Sequence, residues 1–248
     1  MSEYFGKLYL KFFAPKLDKL ADREVENIIN IYKIYKDEKK PEKVFDLGAG
    51  WGRHILSFYK RGIVAYGIER EEVFVEHFRK NAPAQIRDHL FQGDITSWDI
   101  PEHMQHTFDL AISMFSSIGW SEDKRIFQVA SVLLKPEGIF IVDTDNRDGY
   151  VIHPPKRTWQ RVEGGIVLDK HQINWTNSTI ITKREIHTTD GQIYTLTRKM
   201  RLYSIHELIQ MASEAGFIFI GAFSNLHMSS WSIGSGRIVL ILKKEGRT

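Results

Sequence analysis

From Val44 onward the chain alternates short apolar runs with helix-like stretches, and this alternation constrains the fold more than any other feature. Residues 44–47, 63–68, 108–113 and 139–142 read as short buried strands. Helical stretches fall at 52–60, 71–80 and 122–134, the third capped by Ser121 and closed by Pro136-Glu137-Gly138. A further short strand, 90–92, lies between the second and third helices. Such alternation predicts an α/β fold, with a parallel sheet covered by helices on both faces.

The rhythm breaks after Asp143. Residues 158–202 read as strands alone, at 166–175, 179–187 and 192–202. Asp190-Gly191 is a hairpin signal, because glycine tolerates positive φ, and Asn177-Ser178 marks a second turn. The segment is therefore read as an antiparallel insertion. Ser204-Ile205-His206-Glu207 has the form of a capping box, and the helix it opens ends at Gly216. Strands at 217–223 and 238–243 follow.

Ahead of the first strand, Tyr4, Phe5, Leu8, Tyr9, Phe12 and Phe13 fall on one helical face, with Lys7, Lys11, Lys16 and Lys19 between them. A second helix is expected from Asp22, with Val25, Ile28, Ile29, Tyr32 and Tyr35 as its buried stripe. Residues 36–42 form a charged linker containing Pro41. The expected organisation is a helical lid over residues 1–40, a ligand-binding domain over 41–147 and 203–248, and a β insertion over 148–202 that covers the substrate.

Composition narrows the function. Apolar residues at 42% of 248 allow a full core for a domain of this size. With no cysteine, disulfides, thiolate metal sites and cysteine nucleophiles are excluded, and a reducing cytoplasm is the expected setting. A formal charge of +3 without a Lys/Arg cluster argues against nucleic acid as a partner. The longest purely apolar run, 238–242, is far short of a membrane span, and no signal-peptide pattern opens the chain.

The chemistry is carried by Val44-Phe45-Asp46-Leu47-Gly48-Ala49-Gly50-Trp51-Gly52-Arg53-His54. A buried strand enters a glycine-rich turn whose backbone can approach a ligand, then a helix whose first N–H groups face an anionic group. A nicotinamide dinucleotide loop would need a third glycine where Arg53 stands, and a long side chain there conflicts with close helix–strand packing. Glu69, followed by Arg70, ends a strand 23 residues after Asp46, where a carboxylate accepts both hydroxyls of a ribose. Asp94 ends the next strand; with the backbone N–H of Ile95 it has the donor and acceptor pattern to read adenine. Met114 and Phe115 close the strand after that. Strand-end carbonyls there hold an ammonium while the side chains shield a sulfonium.

In this order and spacing the residues resemble the class I S-adenosylmethionine-dependent methyltransferases, over nearly the whole chain. Asp46-Leu47-Gly48-Ala49-Gly50-Trp51-Gly52 resembles the first motif of that family, and Glu69, Asp94 and Phe108-Asp109 resemble the next three. Leu134-Lys135-Pro136-Glu137-Gly138 is similar to the turn before its fifth strand. Arg201, Tyr203-Ser204, Glu207-Leu208 and Ala215-Gly216-Phe217 resemble its small-molecule branch. Met114-Phe115-Ser116-Ser117-Ile118-Gly119 is similar to sugar N,N-dimethyltransferases and glycine N-methyltransferase-like enzymes. The resemblance implies a seven-stranded, Rossmann-like doubly wound sheet with an antiparallel last strand at 236–243. It implies S-adenosylmethionine as cofactor, S-adenosylhomocysteine as product, and no metal. The implied cofactor-binding residues are Asp46, Gly48, Ala49, Gly50, Gly52, Glu69, Arg70, Asp94, Ile95, Met114 and Phe115.

Direct in-line methyl transfer depends mostly on positioning and desolvating the acceptor, since a sulfonium is a good leaving group. Base methylation through an Asn/Asp-Pro-Pro-aromatic motif is disfavoured, because that place reads Ser113-Met114-Phe115-Ser116. The expected acceptor is a small molecule with nitrogen or oxygen as nucleophile. Tyr9, Trp120, Arg201 and Tyr203 are candidates to bind it, with His153 and Trp159 behind them, and no residue stands out as a catalytic base. Asp143, Asp145 and Asn146 face a polar substrate or a solvated loop, and His103 and His106 read as scattered surface histidines. Three readings remain beside this one: a non-catalytic cofactor-binding module, an interfacial membrane helix at the N-terminus, and a propylamine transferase of related fold. The sequence does not indicate the oligomeric state.

Overall fold

A computed structural model describes residues 5–120 and 123–246. Tyr4, Ser121 and Glu122, to which a place in the aromatic stripe, a helix cap and a helix start were assigned above, lie outside the described residues. The first element is one helix, α1 (Lys7–Ile34), and not two. Asp22 does not cap a second helix; its carboxylate accepts from Ser57 Oγ at 2.7 Å and from Arg61, so the apparent start signal is used in tertiary contact. Pro15 is accommodated inside the helix.

The alternating region gives β1 (Lys43–Leu47), α2 (Arg53–Tyr59), β2 (Val64–Glu69), α3 (Glu72–Asn81), β3 (Leu90–Gln92), β4 (Phe108–Ser113), α4 (Lys124–Leu133) and β5 (Leu134–Asp145). The apolar runs set these strands; Phe45, Leu47, Ile68, Leu110, Ile112 and Ile141 are all wholly buried. Pro136-Glu137-Gly138 does not close a helix as a free turn. Between the pairs Phe108 with Leu134 and Leu110 with Ile139, these residues bulge out of a continuous β5, with Glu137 at φ 66°.

A short helix α5 (Arg147–Ile152) follows, then β6 (Arg157–Val162), β7 (Gly165–Asn174), β8 (Thr179–Thr188) and β9 (Ile193–Arg201). Sequence alone indicated neither α5 nor β6. The last elements are α6 (Ile205–Glu214), β10 (Phe217–Phe223) and β11 (Arg237–Lys244). The capping box forms as expected: Ser204 and Glu207 exchange side-chain and backbone hydrogen bonds.

Seven strands make one sheet, in the order β10-β11-β5-β4-β1-β2-β3. The pairs from β5 to β3 are parallel, and β11 runs antiparallel to both of its neighbours. The seven-stranded sheet with an antiparallel last strand is therefore the fold observed. Strands β6 to β9 form a separate antiparallel four-stranded sheet. Helix α1 lies between the two. Phe12 and Phe13 pack with Val167, Ile186 and Leu196 of the small sheet, while Ala14, Tyr9 and Leu17 pack with Trp51 and Phe74 of the large domain.

Candidate active site

The glycine loop is built by β1 and β2 together. Gly48 and Ala49 both donate their N–H groups to the carbonyl of Ile68, at 3.1 and 3.0 Å, which folds the chain back across the sheet edge. Gly48, Gly50 and Gly52 have φ of 82°, 56° and 73°, the left-handed region that favours glycine. The three do different work. A Cβ on Gly48 would meet Ser117 Oγ at 2.7 Å and one on Gly52 would meet the Phe78 ring at 2.3 Å, whereas one on Gly50 would meet nothing within 4 Å. Gly50 therefore faces open space.

That space is a cavity above the C-terminal ends of β1, β2, β3 and β4, lined among others by Asp46, Gly48, Ala49, Gly50, Glu69, Arg70, Asp94, Ile95, Met114 and Phe115. Of the eleven residues expected to hold a cofactor, only Gly52 is not in its wall; Gly52 starts α2 and is packed on Phe78. The structure thus brings together residues 46 to 115 of the sequence pattern in one place.

Glu69 accepts from the N–H of Gly50 at 2.9 Å and of Glu71 at 2.8 Å, leaving lone pairs on both oxygens. Burial raises its pKa above the ordinary glutamate value, and these two bonds only partly offset that. Asp94 takes both the N–H and the hydroxyl of Thr96 on Oδ1, and its Oδ2 lies 3.7 Å from Arg70. Burial works against its charge, but Thr96 and Arg70 outweigh it and hold its carboxyl below the usual range. Asp46 is 2% exposed and neither of its oxygens accepts a hydrogen bond. His54 Nδ1 lies 3.4 Å from its Oδ2.

Three further walls complete the cavity. Phe5, Tyr9, Trp51, Phe74 and Trp120 make an aromatic wall, with ring centroids 5.0 to 6.5 Å apart. Burial raises the Tyr9 pKa, so its hydroxyl stays protonated. Arg53 and His54, on the first turn of α2, form the side toward α1; Arg53 bonds Glu24 and the carbonyl of Leu17. Phe115, at φ 55°, stands 4.6 Å from the Arg53 guanidinium and 5.8 Å from that of Arg237. Behind it Arg237 reaches Asp143 at 2.8 Å and Asp145 at 2.9 Å. The acids at the end of β5 are thus ion-paired and do not line the cavity.

Of the four candidates to bind an acceptor, Tyr9 and Trp120 are in the cavity wall. Arg201 and Tyr203 are not. Arg201 bonds Glu207 at 2.8 Å and the Tyr203 hydroxyl bonds Asp123 at 2.6 Å, and both lie in a separate surface groove. His153 and Trp159 are exposed and away from the cavity. Sequence reasoning missed Arg53, His54, Trp51, Phe74 and Ser117. The first two carried a signal, being charged or polar side chains directly behind a glycine turn, at the start of a helix that must be buried.

Comparison with known proteins agrees with this geometry. Residues 44–138 match the family model described as "Methyltransferase domain". A protein of Methanocaldococcus jannaschii whose function is uncharacterized is 26% identical over 149 residues, or 59% of this chain. The match spans about half, 52%, of that relative's length. Among solved structures, an S-adenosylmethionine-dependent methyltransferase from Clostridium acetobutylicum has a TM-score of 0.75 at 15% identity, covering 96% of this chain and 97% of that one. The CcbJ methyltransferase from Streptomyces caelestis gives 0.71 at 19%, covering 82% and 84%. An amino pentose methyltransferase from Micromonospora echinaspora, with S-adenosylmethionine bound, gives 0.68 at 16%, covering 90% and 91%. Residues 44–138 thus match a methyltransferase domain, and the seven-stranded sheet built around them has the fold of S-adenosylmethionine-dependent methyltransferases.

Proposed function

We propose that the chain binds S-adenosylmethionine in the cavity above the strand ends and transfers its methyl group to a small molecule. The observation that carries this reading is the joint placement of Gly50, Asp46, Glu69 and Asp94 in one wall. The residues fit the group. Gly50 leaves open the space a side chain would fill, and Asp46 is a buried carboxylate with no hydrogen bond of its own. Such a carboxylate suits an ammonium, the free lone pairs of Glu69 suit ribose hydroxyls, and Asp94 with the N–H of Ile95 suits adenine. When bound, S-adenosylmethionine supplies a methyl group activated by its sulfonium. The work of the chain is to bind, to orient and to exclude water. The aromatic wall does the last of these, and its ring faces attract a positive centre.

The acceptor is proposed to lie between this wall and Phe115, where Tyr9 and Trp120 bound the cavity. Glu69 and Asp94 are held by backbone and hydroxyl donors and His54 by Glu24. A neutral amine attacks without a base, whereas an alcohol needs one, so a nitrogen acceptor is favoured. The amino pentose named for one structural neighbour fits this preference. The test is incubation with cofactor labelled in its methyl group against a panel of amino sugars, amino acids and their hydroxy analogues, read by mass spectrometry. Label appearing only on hydroxyl groups would sink the amine preference. Binding of S-adenosylhomocysteine without transfer to any small molecule would favour a cofactor-binding module.

A further inference from the structure

The small sheet has two faces, and α1 covers one of them. Side chains alternate across a strand, and Val167, Ile186 and Leu196 turn to α1, where they meet Phe12 and Phe13. The aromatic stripe of α1, which by its sequence could have lain on a membrane, packs inside the molecule. The residues in between make the opposite face, and the strand register sets them in rows. Arg161, Ile166, His187 and Ile193 form one row. Trp159, Leu168, Glu185 and Thr195 form the next, and Arg157, Lys170, Lys183 and Thr197 the third. Lys199 stands beyond, opposite Ile181.

Trp159 is 68% and Ile193 60% exposed, and Ile166 and Leu168 are exposed in the same two rows. Large apolar side chains thus stand in water at one end of the face. In the third row three cations lie directly opposite one another on adjacent strands, an arrangement that by itself destabilises a sheet. Among the described residues, Arg157, Arg161, Lys170, Lys183 and Lys199 form no ion pair, and the one carboxylate on the face, Glu185, bonds His187 at 2.9 Å.

A positive face suits a negative partner, and its make-up selects among them. A second copy of the chain would set cations against cations. Single-stranded nucleic acid is held on aromatic platforms, whereas Ile166, Leu168 and Ile193 are aliphatic. Protein interfaces are depleted of lysine, and Lys170 and Lys183 hold the middle of this face. An anionic bilayer accepts the whole set. Aliphatic and indole side chains enter the boundary between headgroups and acyl chains. Lysine stems lie along the apolar surface while their ammonium groups reach lipid phosphates and carboxylates. We propose that the outer face of the small sheet docks the protein on an anionic lipid surface, with Trp159, Ile166, Leu168 and Ile193 entering the interface and the row of Arg157, Lys170 and Lys183 held by the headgroups.

The experiment is flotation of the whole chain with vesicles of phosphatidylcholine alone and of phosphatidylcholine mixed with phosphatidylserine, at low and at high salt. Binding is expected on the mixed vesicles only, and to weaken as salt rises. Each cation beside such a surface contributes about fivefold to partitioning, so K170Q/K183Q is expected to bind roughly 25-fold more weakly. W159A is expected to bind more weakly with its salt dependence unchanged, because it removes apolar contact and no charge. K170Q/K183Q relieves a like-charge contact and is expected to melt no lower than the parent, so that its loss of binding is not loss of fold. Poly(U) and size-exclusion chromatography test the other occupants. Absence of binding to the mixed vesicles overturns the proposal, and so does binding that K170Q/K183Q leaves unchanged. Poly(U) bound as tightly as the vesicles, or a dimer that W159A dissolves, gives the face to another partner and overturns it too. Should K170Q/K183Q not fold, the lipid and salt dependence of the unaltered protein and of W159A still decide. None of these readouts depends on what the cavity binds.

Discussion

Gly50 and Gly52 are two residues apart, both at positive φ, yet alanine at each should fail for a different reason. At Gly50 the φ of 56° costs an L-residue about 1–2 kcal/mol, and a Cβ meets nothing within 4 Å. At Gly52 the same strain applies at φ 73°, and the Cβ would stand 2.3 Å from Phe78 Cδ2. Phe78 is 1% exposed and belongs to the core beneath α2 and α3, so the ring has little room to yield. Overpacking of this kind adds about 1–3 kcal/mol, for a total of roughly 2–5 kcal/mol against a stability of about 5–15 kcal/mol. At about 2–4 °C per kcal/mol for a chain of this size, Gly50→Ala should melt only a few degrees early and Gly52→Ala about 4–20 °C early. Binding should run the other way, because the Gly50 methyl enters the proposed ligand space. Circular dichroism melts beside calorimetry with S-adenosylhomocysteine measure both. A Gly50→Ala protein that binds normally, or a Gly52→Ala protein that melts like the parent, refutes the assignment of one glycine to the ligand and the other to the core.

Other outcomes follow from the same contacts. Glu69→Ala should weaken S-adenosylhomocysteine binding by about 1.5–3 kcal/mol, the worth of a charge-assisted hydrogen bond, and calorimetry showing unchanged affinity would remove Glu69 from the site. The raised pKa of Glu69 gives a second test. Ribose hydroxyls bind its ionised form, so adenosine-ligand affinity should fall with acidification while pH is still above the ordinary glutamate range of about 4.3, and Glu69→Gln should lose that dependence. Arg237→Met leaves Asp143 and Asp145 facing each other without their cation; about 3 kcal/mol of stability should go, the low end for a buried pair because the guanidinium is partly exposed, and a melt unchanged within error would show that the pairs contribute nothing. Deleting residues 1–18 should cost more than a lid would, since Phe12 and Phe13 leave the core of the small sheet. In hydrogen exchange the helix from Asp18 onward should be protected with or without cofactor, and equal protection of residues 5–13 in both states would show that the aromatic wall does not respond to ligand.

The strands were legible because burial of an α/β sheet leaves unbroken apolar runs, and the site was legible where it follows those strands in order: Asp46, Glu69, Asp94 and Met114 each sit at a strand end. What failed depended on neighbours distant in sequence. Asp22 has the chemistry of a cap but is held by Ser57 and Arg61. Strand β6 carries Arg157, Trp159 and Arg161 on an open face, so its pattern lacks a buried half. Helix α5 is six residues long, too short for a period to show. Arg201 and Tyr203 were plausible acceptor residues by type, and only the partners Glu207 and Asp123 show where they are turned. His54 and Glu24 are thirty residues apart and meet only because α1 packs along α2.

The position of β11 bears on how the chain comes together as it is made. This strand fills the slot between β5 and β10, pairing with 139–145 on one side and 217–223 on the other. Until it emerges, β5 presents an open edge whose Ile139, Phe140, Ile141 and Val142 are wholly buried in the finished fold. A nascent or truncated chain ending before Arg237 therefore exposes a template for pairing with other chains, and the small sheet and α6 are synthesised during the wait. An unpaired β5 edge that persists until the last strand arrives is the vulnerability this topology imposes.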